Sequence, residues 1–405
     1  MKNVLIICEY NPFHSGHKYQ ITDIRRTFGE DTKIIALMSG NFTQRGEIAI
    51  ADKFLRAKCA VLEGVNLVLQ LPFPFSSASA EFFAKAGVEI ANSLGIVDVL
   101  AFGSECGDIK SLTSVARNML KEEYKTEVQA LKNDEKNKTL GYPKICEAAY
   151  RRLYGEDLSS IISKPNNILA IEYIKALILT DSSIIPYTTK RSGASFSAKK
   201  IEKSAHQSAT AIRELLTSDT HSALEYIPLY SKEHFLSAYK SGEIPSNQDR
   251  LSAAVLSHFS LNSPLQRYDI HDADGGLYNR LITLSNKATS ITHLTQLAST
   301  KKYTDSRIRR AIWFSFFGVT SSDVRATPEY TQVLAMDSCG QAMLKLIKKT
   351  SAIAVITKPS ATPKSESGKI QKELSDKADF LFEFSKPIAK SGDTPLKTSP
   401  FVKKD

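Results

Sequence analysis

The first hundred residues alternate short apolar runs with amphipathic segments, and this alternation constrains the fold more than any other feature. The helix-like segments between the runs end at Gly29 and Gly64. Strand–helix units of this length predict an α/β fold, a Rossmann-like doubly wound parallel sheet. The runs with the length and composition of buried strands are NVLIICEY (3–10), TKIIALMSG (32–40), VNLVLQLP (65–72) and VDVLAFGSE (97–105).

The rest of the chain is mostly helix-like. A charged stretch at about 111–160 reads as a helical insertion, and SSIIPYTTKR (182–191) as a last strand of the sheet. No convincing strand pattern occurs between 215 and 330, and ADFLFEFS (378–385) could be a strand or a helix. We therefore predict a sheet domain over 1–215, a mostly helical domain over 216–345 and a small basic segment over 346–405.

The positive charge is concentrated near the end of the chain. The formal net charge is +10, and residues 301–405 hold 19 Lys and Arg against 11 Asp and Glu, or +8. Such a basic region suggests a polyanionic partner such as nucleic acid, although a solvated surface explains the charge equally well. No apolar stretch could span a bilayer and no secretory signal precedes the first strand, so we expect a cytoplasmic protein without a membrane partner.

The stretch NPFHSGHKY follows the first predicted strand, where an open parallel sheet binds its ligands. His14 and His17 would lie at the start of a helix, beside free backbone N–H groups, and Gly16 would allow close approach. The pair could form an anion site for a triphosphate, half of a metal site, or an ordinary surface pair. No H-E-x-x-H pattern or cysteine cluster offers further ligands, so we expect no protein-bound metal.

HSGH resembles the H-x-G-H signature of the nucleotidyltransferase superfamily. Over about the first 215 residues, EYNPFHSGHKY, MSGNFTQRGE, FGSECGDI, SKPNNIL and PYTTKR resemble the bacterial tRNA(Met) cytidine acetate ligase family. This resemblance implies a nucleotidyltransferase-like catalytic domain that activates acetate with ATP as acetyl-adenylate. It also implies that the wobble cytidine of elongator tRNA(Met) receives the acetyl group and becomes 4-acetylcytidine. We expect Mg²⁺ to accompany ATP through its phosphates.

The resemblance also implies which residues form the site. His14, His17 and Arg213 would be catalytic. Without the resemblance, each of the other residues has a purely structural explanation. Gly103 could be a turn glycine and Asn166 a helix cap. Arg191 could be a surface arginine, and the segment that contains Arg213 could be an ordinary helix start. The residues expected to bind ATP are Ile7, Cys8, Glu9, Tyr10, Asn11, Pro12, Phe13, His14, Ser15, Gly16, His17, Lys18, Tyr19, Gln20, Gly103, Asn166 and Arg191.

Two further sets of residues are candidates for the other substrates. Asn41, Gln44 and Arg45 follow the second strand and could line the acetate or cytidine pocket, because a carboxylate needs one cationic partner. The segment TKKYTDSRIRRAIWF interleaves basic and aromatic residues, which suits RNA binding, although it could also pack a helix into the core. Its candidate RNA-binding residues are Lys301, Lys302, Arg307, Arg309 and Arg310.

Other interpretations of the chain remain open at this point. HDADGG (271–276) looks like the start of a calcium loop, but Thr283 stands where that loop needs a glutamate. A small-molecule adenylyltransferase would use the same sheet domain but would not need a basic, helical remainder. A non-enzymatic RNA-binding protein with a degenerate nucleotide fold would not need His14, Gly16 and His17 intact. We see no protein partner in the sequence.

Overall fold

The computed structural model describes residues 1–137, 140–191, 208–261 and 269–404. In these residues eight strands form one sheet with the order β5-β4-β1-β2-β3-β6-β7, and β8 pairs with β6. The strands are β1 (Asn3–Cys8), β2 (Lys33–Ser39), β3 (Leu67–Leu71), β4 (Val99–Ser104), β5 (Ile185–Lys190), β6 (Tyr330–Met336), β7 (Ala354–Ile356) and β8 (Phe401–Val402).

The helices of the described residues cover both faces of the sheet and build the middle of the chain. Those up to β5 are α1 (Ser15–Phe28), α2 (Lys53–Leu62), α3 (Ala80–Leu94), α4 (Ile109–Leu120), α5 (Glu122–Asn133), α6 (Tyr142–Tyr154) and α7 (Pro165–Leu179). Those after β5 are α8 (Ala209–Ser218), α9 (Thr220–Ala223), α10 (Leu229–Lys240), α11 (Ser252–Leu261), α12 (Leu277–Ser285), α13 (Ile291–Ala298), α14 (Asp305–Phe317), α15 (Ser321–Arg325), α16 (Ser338–Thr350), α17 (Glu366–Glu383) and α18 (Thr394–Lys397).

The doubly wound sheet predicted from the first hundred residues is confirmed. β1 pairs in parallel with β2 and with β4, and β2–β3 and β4–β5 are parallel as well. The chain moves outward from β1 to β3 and then returns to the other side of β1 for β4. The strand order therefore reverses between β1 and β4, and a crevice opens at their carboxyl ends.

The sheet core explains why the strand-like runs are so apolar. One cluster of buried side chains packs the sheet against α3 and α7, and another packs its opposite face against α1 and α2. The central strand β1 is buried from Val4 to Cys8 because both of its faces are covered. Two-sided burial gives continuous apolar runs, which is the pattern seen in the sequence.

The last part of the chain returns to this sheet. β6 lies in the part predicted to be a helical domain, yet it is buried and pairs with β3 in antiparallel orientation. The boundary predicted between 345 and 346 falls inside α16, and α17 settles the open segment 378–385 as mainly helical. The short run of β6 was hard to assign from sequence because periodicity does not separate a fully buried strand from a buried helix.

The predicted helical character of the middle of the chain agrees with α8 to α15. Across the ranges given above, no helix combines the length and the apolar composition that crossing a bilayer would require.

Candidate active site

The candidate site lies where β1 and β4 end side by side. Ile7 and Cys8 are the last buried residues of β1, Ser104 ends β4, and α1 begins at Ser15 after a short loop. Open α/β sheets bind ligands in the crevice at such a point. The first turn of α1 adds backbone N–H groups and the positive end of the helix dipole.

His14 and His17 are held by each other and by the first turn of α1. Nδ1 of His14 accepts a hydrogen bond from the backbone N–H of Gly16 at 3.0 Å. Nδ1 of His17 accepts one from the backbone N–H of His14 at 3.2 Å, and the ring centroids are 3.9 Å apart. Because each Nδ1 is an acceptor, we assign the hydrogen of each neutral ring to Nε2. The motif therefore carries two adjacent Nε2–H groups.

The surroundings of His17 keep its ring neutral. Its ring centroid lies 4.9 Å from that of Tyr10 and 5.5 Å from that of Phe13. Burial lowers the pKa of His17 well below its ordinary value of 6.5, and the neighbouring His14 ring and the charge of Arg191 lower this pKa further. At neutral pH the ring thus donates one hydrogen bond without adding a charge.

The loop before α1 has a conformation that its neighbours enforce. Tyr10 is buried with a φ of 45°, in the left-handed region, and the peptide bond between Asn11 and Pro12 is cis. The side-chain oxygen of Asn11 accepts a hydrogen bond from the backbone N–H of Ile50 at 2.8 Å. Its carbonyl accepts one from Nη1 of Arg213 at 3.0 Å. These contacts tie the loop to two other segments.

The remaining residues of the predicted ATP segment lie along α1. Ser15 and Tyr19 are exposed, and Gln20 is half-buried. The ammonium of Lys18 donates to the backbone carbonyl of Glu63 at 2.8 Å and lies 3.4 Å from the carboxylate of the same residue. Lys18 therefore binds the C-terminal end of α2 in this structure.

Gly103, Asn166 and Arg191 meet on the other side of the crevice. A Cβ at Gly103 would lie 3.2 Å from Cγ of Arg191, so that the arginine side chain lies across the glycine. The amide nitrogen of the Asn166 side chain donates to the carboxylate of Glu105 at 2.7 Å, and its backbone N–H donates to the same oxygen at 3.1 Å. Glu105, which the motif analysis did not identify, therefore orients Asn166.

Three arginines and two glutamates form a further group, which we call the arginine cluster: Arg45, Arg213, Arg309, Glu9 and Glu47. Glu47 binds Arg213 at 2.9 Å and Arg309 at 3.4 Å through different carboxylate oxygens. Nε of Arg309 also donates to the backbone carbonyl of Arg45 at 3.1 Å. Residues predicted separately for phosphate, acetate and RNA thus lie in one cluster, which holds one more positive than negative charge.

Glu9 links the arginine cluster to the end of β1. One of its carboxylate oxygens, Oε1, accepts a hydrogen bond from the backbone N–H of Gln44 at 2.9 Å. Burial raises the pKa of Glu9, and this effect outweighs the opposing hydrogen bond from Gln44 and the charges of Arg213 and Arg45. The side chain is therefore a stronger base than a glutamate in water.

Asn41 and Gln44 are both engaged by the protein itself. The buried amide of Asn41 donates to Asp379 at 2.8 Å and accepts from the backbone N–H of Lys53 at 2.8 Å. Nε2 of Gln44 donates to the carbonyl of Ala78 at 3.2 Å. Lys53 and Asp379 also form a buried ion pair at 2.5 Å. Through Asp379, α17 supports the loop that carries Arg45.

The arginines predicted to bind RNA turn toward protein groups. Arg307 binds Asp274, and Arg310 binds Asp272, each at 2.5 Å. Arg310 is buried as well, so neither its charge nor that of Arg309 is freely offered to solvent. The carboxylates of HDADGG (271–276) thus pair with arginines. Within the described ranges no group of metal-ligating side chains could hold an ion.

Lysines provide the more accessible positive charge in this region. Lys301 and Lys302 are exposed just before α14, and the Lys302 ammonium makes a 3.4 Å contact with the carbonyl of Gly275. Three further exposed lysines, Lys345, Lys348 and Lys349, lie on α16. The basic end of the sequence therefore corresponds to separate patches.

Comparison with known proteins extends the resemblance to nearly the whole chain. Residues 1–393 match the family model described as HIGH Nucleotidyl Transferase. The tRNA(Met) cytidine acetate ligase of Acetivibrio thermocellus is 35% identical over 370 residues, covering 88% of each chain. That of Alkaliphilus metalliredigens is 33% identical over 426 residues, covering 100% of each.

The chain belongs to the tRNA(Met) cytidine acetate ligase family. Two crystal structures of Thermotoga maritima TmcAL each cover 99% of both chains. The apo form has a TM-score of 0.90 at 29% identity. The form bound with alpha-thio ATP has a TM-score of 0.89 at 30% identity. The likeness covers the sheet and the helical part together, so the family resemblance and the fold inferred from sequence are both confirmed.

In this member of the acetate ligase family, one buried residue that sequence reasoning missed supports the whole site. Arg56 of α2 is fully buried and donates hydrogen bonds to the backbone carbonyls of Glu9, Ser39, Gly40 and Ala51. It thereby joins the ends of β1 and β2 to the following loop. The sequence feature that could have identified Arg56 is the presence of an arginine within the apolar helix pattern ADKFLRAKCAVLEG (51–64).

Proposed function

We propose that the protein activates acetate with ATP and transfers the acetyl group to the wobble cytidine of elongator tRNA(Met), forming 4-acetylcytidine. The observation that carries this proposal is the His14–His17 pair, which places two neutral Nε2–H donors beside the N-terminus of α1. Two further observations support it: curated relatives are named tRNA(Met) cytidine acetate ligase, and a related structure is bound with alpha-thio ATP. We expect such an enzyme to work in the cytoplasm, with tRNA.

In the first step, an acetate oxygen attacks the α-phosphorus of ATP, and the bond to the pyrophosphate oxygen breaks. Negative charge then grows on the α-phosphoryl oxygens and on the departing pyrophosphate. We infer that His14 and His17 donate to these oxygens and that Arg213 stabilises the pyrophosphate. Their fixed hydrogen bonds and ion pair orient these groups before the substrate binds.

We propose that the adenosine part of ATP lies over Gly103, Asn166 and Arg191. Gly103 has no side chain, so Arg191 can lie across it at the end of β4, and Glu105 fixes the amide of Asn166 in position. Mg²⁺ is proposed to bind through the phosphates.

We propose that acetate binds at the loop after β2, with Arg45 as its cationic partner. Arg45 is half-buried, and burial lowers its pKa, while Glu9 and Glu47 oppose this shift. A guanidinium remains protonated under these conditions and can bind a carboxylate through two parallel hydrogen bonds. Gln44 and Asn41 hold the loop in place through Ala78 and Asp379.

The decisive test incubates the protein with ATP, labelled acetate and tRNA. We expect the label to enter tRNA only when ATP is present, and we expect pyrophosphate release to depend on acetate. Pyrophosphate release without acetate would instead indicate a small-molecule adenylyltransferase. RNA binding that is weakened by salt, without any turnover, would indicate a binding protein.

A substitution at Gly16 tests the role of His14 as both helix cap and phosphate donor. A Cβ at this position would lie 2.8 Å from Cε1 of the His14 ring and would displace it. We expect Gly16→Ala to lower acetate-dependent ATP–pyrophosphate exchange about 10²-fold, because small displacements of a catalytic group are costly. Exchange at the wild-type rate would contradict the placement of His14 against the phosphates.

A second pair of substitutions tests where tRNA binds. We propose that Lys301 and Lys302 contact tRNA phosphates, with Arg307 beside them. The double variant Lys301→Ala/Lys302→Ala should weaken tRNA binding and reduce the slope of log K against log salt by about 1.5. Filter binding at several salt concentrations measures this slope.

The matched control for that experiment is the double variant Lys369→Ala/Lys377→Ala. Both lysines are about half exposed and form ion pairs within α17, with Glu366 and Glu373. We expect the control to leave the slope unchanged. An equal change in both double variants would mean that overall charge, rather than this patch, determines tRNA affinity.

A further inference from the structure

We propose that Glu9 is the general base that removes the proton from the cytidine amine during acetyl transfer. The inference rests on the function proposed above and extends it to the second step of the reaction. The exocyclic amine of cytosine is conjugated with the ring, so it is a weak nucleophile. It must lose a proton as its bond to the acetyl group forms.

The position of Glu9 fits this role. It directly follows β1 at the point where the strand order reverses, and it lies five positions before His14. It is half-buried, so that it faces the crevice without being fully open to water. The same loop leads to the proposed phosphate donors, and the arginine cluster contains the proposed acetate partner Arg45.

The two oxygens of the Glu9 carboxylate differ. Oε1 is fixed by the backbone N–H of Gln44 at 2.9 Å. Oε2 receives no hydrogen bond from any residue within the described ranges, and it is not among their buried unpaired atoms. One oxygen therefore orients the carboxylate, while the other stays accessible to a substrate proton.

The charges around Glu9 also argue for a chemical role. A carboxylate in a pocket that binds acetate and phosphates repels both of them, so it is costly unless it contributes something else. Burial raises the pKa of Glu9 and makes it a better proton acceptor. The charged and titratable groups that act on it come from several elements, namely Arg45, Glu47, Arg56, Cys8, Tyr173 and Arg213.

The step can be written with every bond accounted for. The lone pair of cytidine N4 attacks the carbonyl carbon of acetyl-adenylate, and an N–C bond forms. The bond between that carbon and the phosphate oxygen breaks, and AMP leaves with the electron pair. The proton released by N4 moves to Oε2 of Glu9 and is then lost to water.

The variant Glu9→Gln separates this role from a purely structural one. Its amide oxygen can still accept the hydrogen bond from Gln44, but the side chain cannot take up a proton. We expect any fall in acetate-dependent ATP–pyrophosphate exchange to be at least about tenfold smaller than the fall in transfer, because the amide keeps the contact that orients the loop. Single-turnover transfer from preformed acetyl-adenylate to tRNA should fall about 10²-fold or more. In the wild type the transfer rate should fall toward low pH as Glu9 is protonated, and this fall should be absent in the variant.

Two outcomes would overturn the inference. Transfer at the wild-type rate would show that no proton passes to Glu9, and a parallel fall in exchange and transfer would show that Glu9 only positions the loop. If Glu9→Gln does not fold, the pH dependence of transfer in the wild type replaces the variant; a transfer rate that does not fall toward low pH would also refute the role. The matched control is Glu30→Gln, since Glu30 is exposed beyond α1.

Failure of this inference differs from failure of the proposed function. If the wild-type protein does not acetylate tRNA, the function is wrong and Glu9 has no transfer step to serve. If the wild type acetylates tRNA and Glu9→Gln does so equally fast, only the assignment of Glu9 is wrong.

Discussion

Replacing His14 by asparagine should lower acetate-dependent ATP–pyrophosphate exchange by about 10²–10³-fold, the usual cost of one lost transition-state donor. We assign His14 two separable tasks, because Nδ1 caps α1 while Nε2–H is the group proposed to donate to the nucleotide. Asparagine is among the best N-cap residues but cannot reach as far as Nε2. The free energy of unfolding should therefore stay within about 0.5 kcal/mol of wild type.

Three measurements complete this test. Affinity for tRNA should be nearly unchanged in His14→Asn, and His17→Ala should also abolish adenylate formation with little effect on tRNA binding. The control is His221→Asn, since His221 is exposed on α9. If either His14→Asn or His17→Ala keeps full acetate-dependent turnover of ATP, the phosphate role of the pair is refuted.

The second large effect concerns stability. Replacing Arg56 by methionine should lower the free energy of unfolding by about 3–5 kcal/mol, the range for removing one member of a buried charged network. Burial lowers the pKa of Arg56 from 12.5 to about 10, while Asp52 and Glu9 oppose the shift, so the group stays charged at neutral pH. Without it, the backbone carbonyls that it joins would be buried without a donor.

Urea unfolding measures this loss, and Arg152→Met is the control. Arg152 is 65% exposed and forms a surface ion pair with Glu127, so its removal should cost less than about 1 kcal/mol. A loss below about 1 kcal/mol for Arg56→Met would mean that water or neighbouring donors replace the guanidinium.

Local sequence patterns predicted strands β1 to β4 and the helix start at HSGH in the candidate site. Strands β1 to β4 could be recognised in the sequence because a strand that is buried on both faces consists of continuous apolar residues. The helix start at HSGH was readable because its cap and glycine are adjacent in the chain. β6 was not assigned, since its pairing with β3 depends on a partner more than 250 residues away.

The charged residues show the limit of local reasoning. Arg309 sits in a basic, aromatic helix pattern that suits RNA, yet Glu47 and the carbonyl of Arg45 bind its guanidinium. This arrangement arises because Gly46 packs against the backbone of α14, where a Cβ would lie 2.6 Å from the nitrogen of Arg310. No spacing in the sequence encodes this contact.

The sequence by itself determined the strand–loop–helix unit, the imidazole pair that ends the loop, and the family to which the chain belongs. These features depend on residues that are neighbours in the chain. The effects that produce them act locally: the spacing at which apolar side chains recur, helix capping and the helix dipole. Only the tertiary structure decided which charges meet. Arg56, Glu105 and Asp379 support the site, and Glu9 keeps one accessible oxygen, because folding brings distant groups within hydrogen-bonding distance.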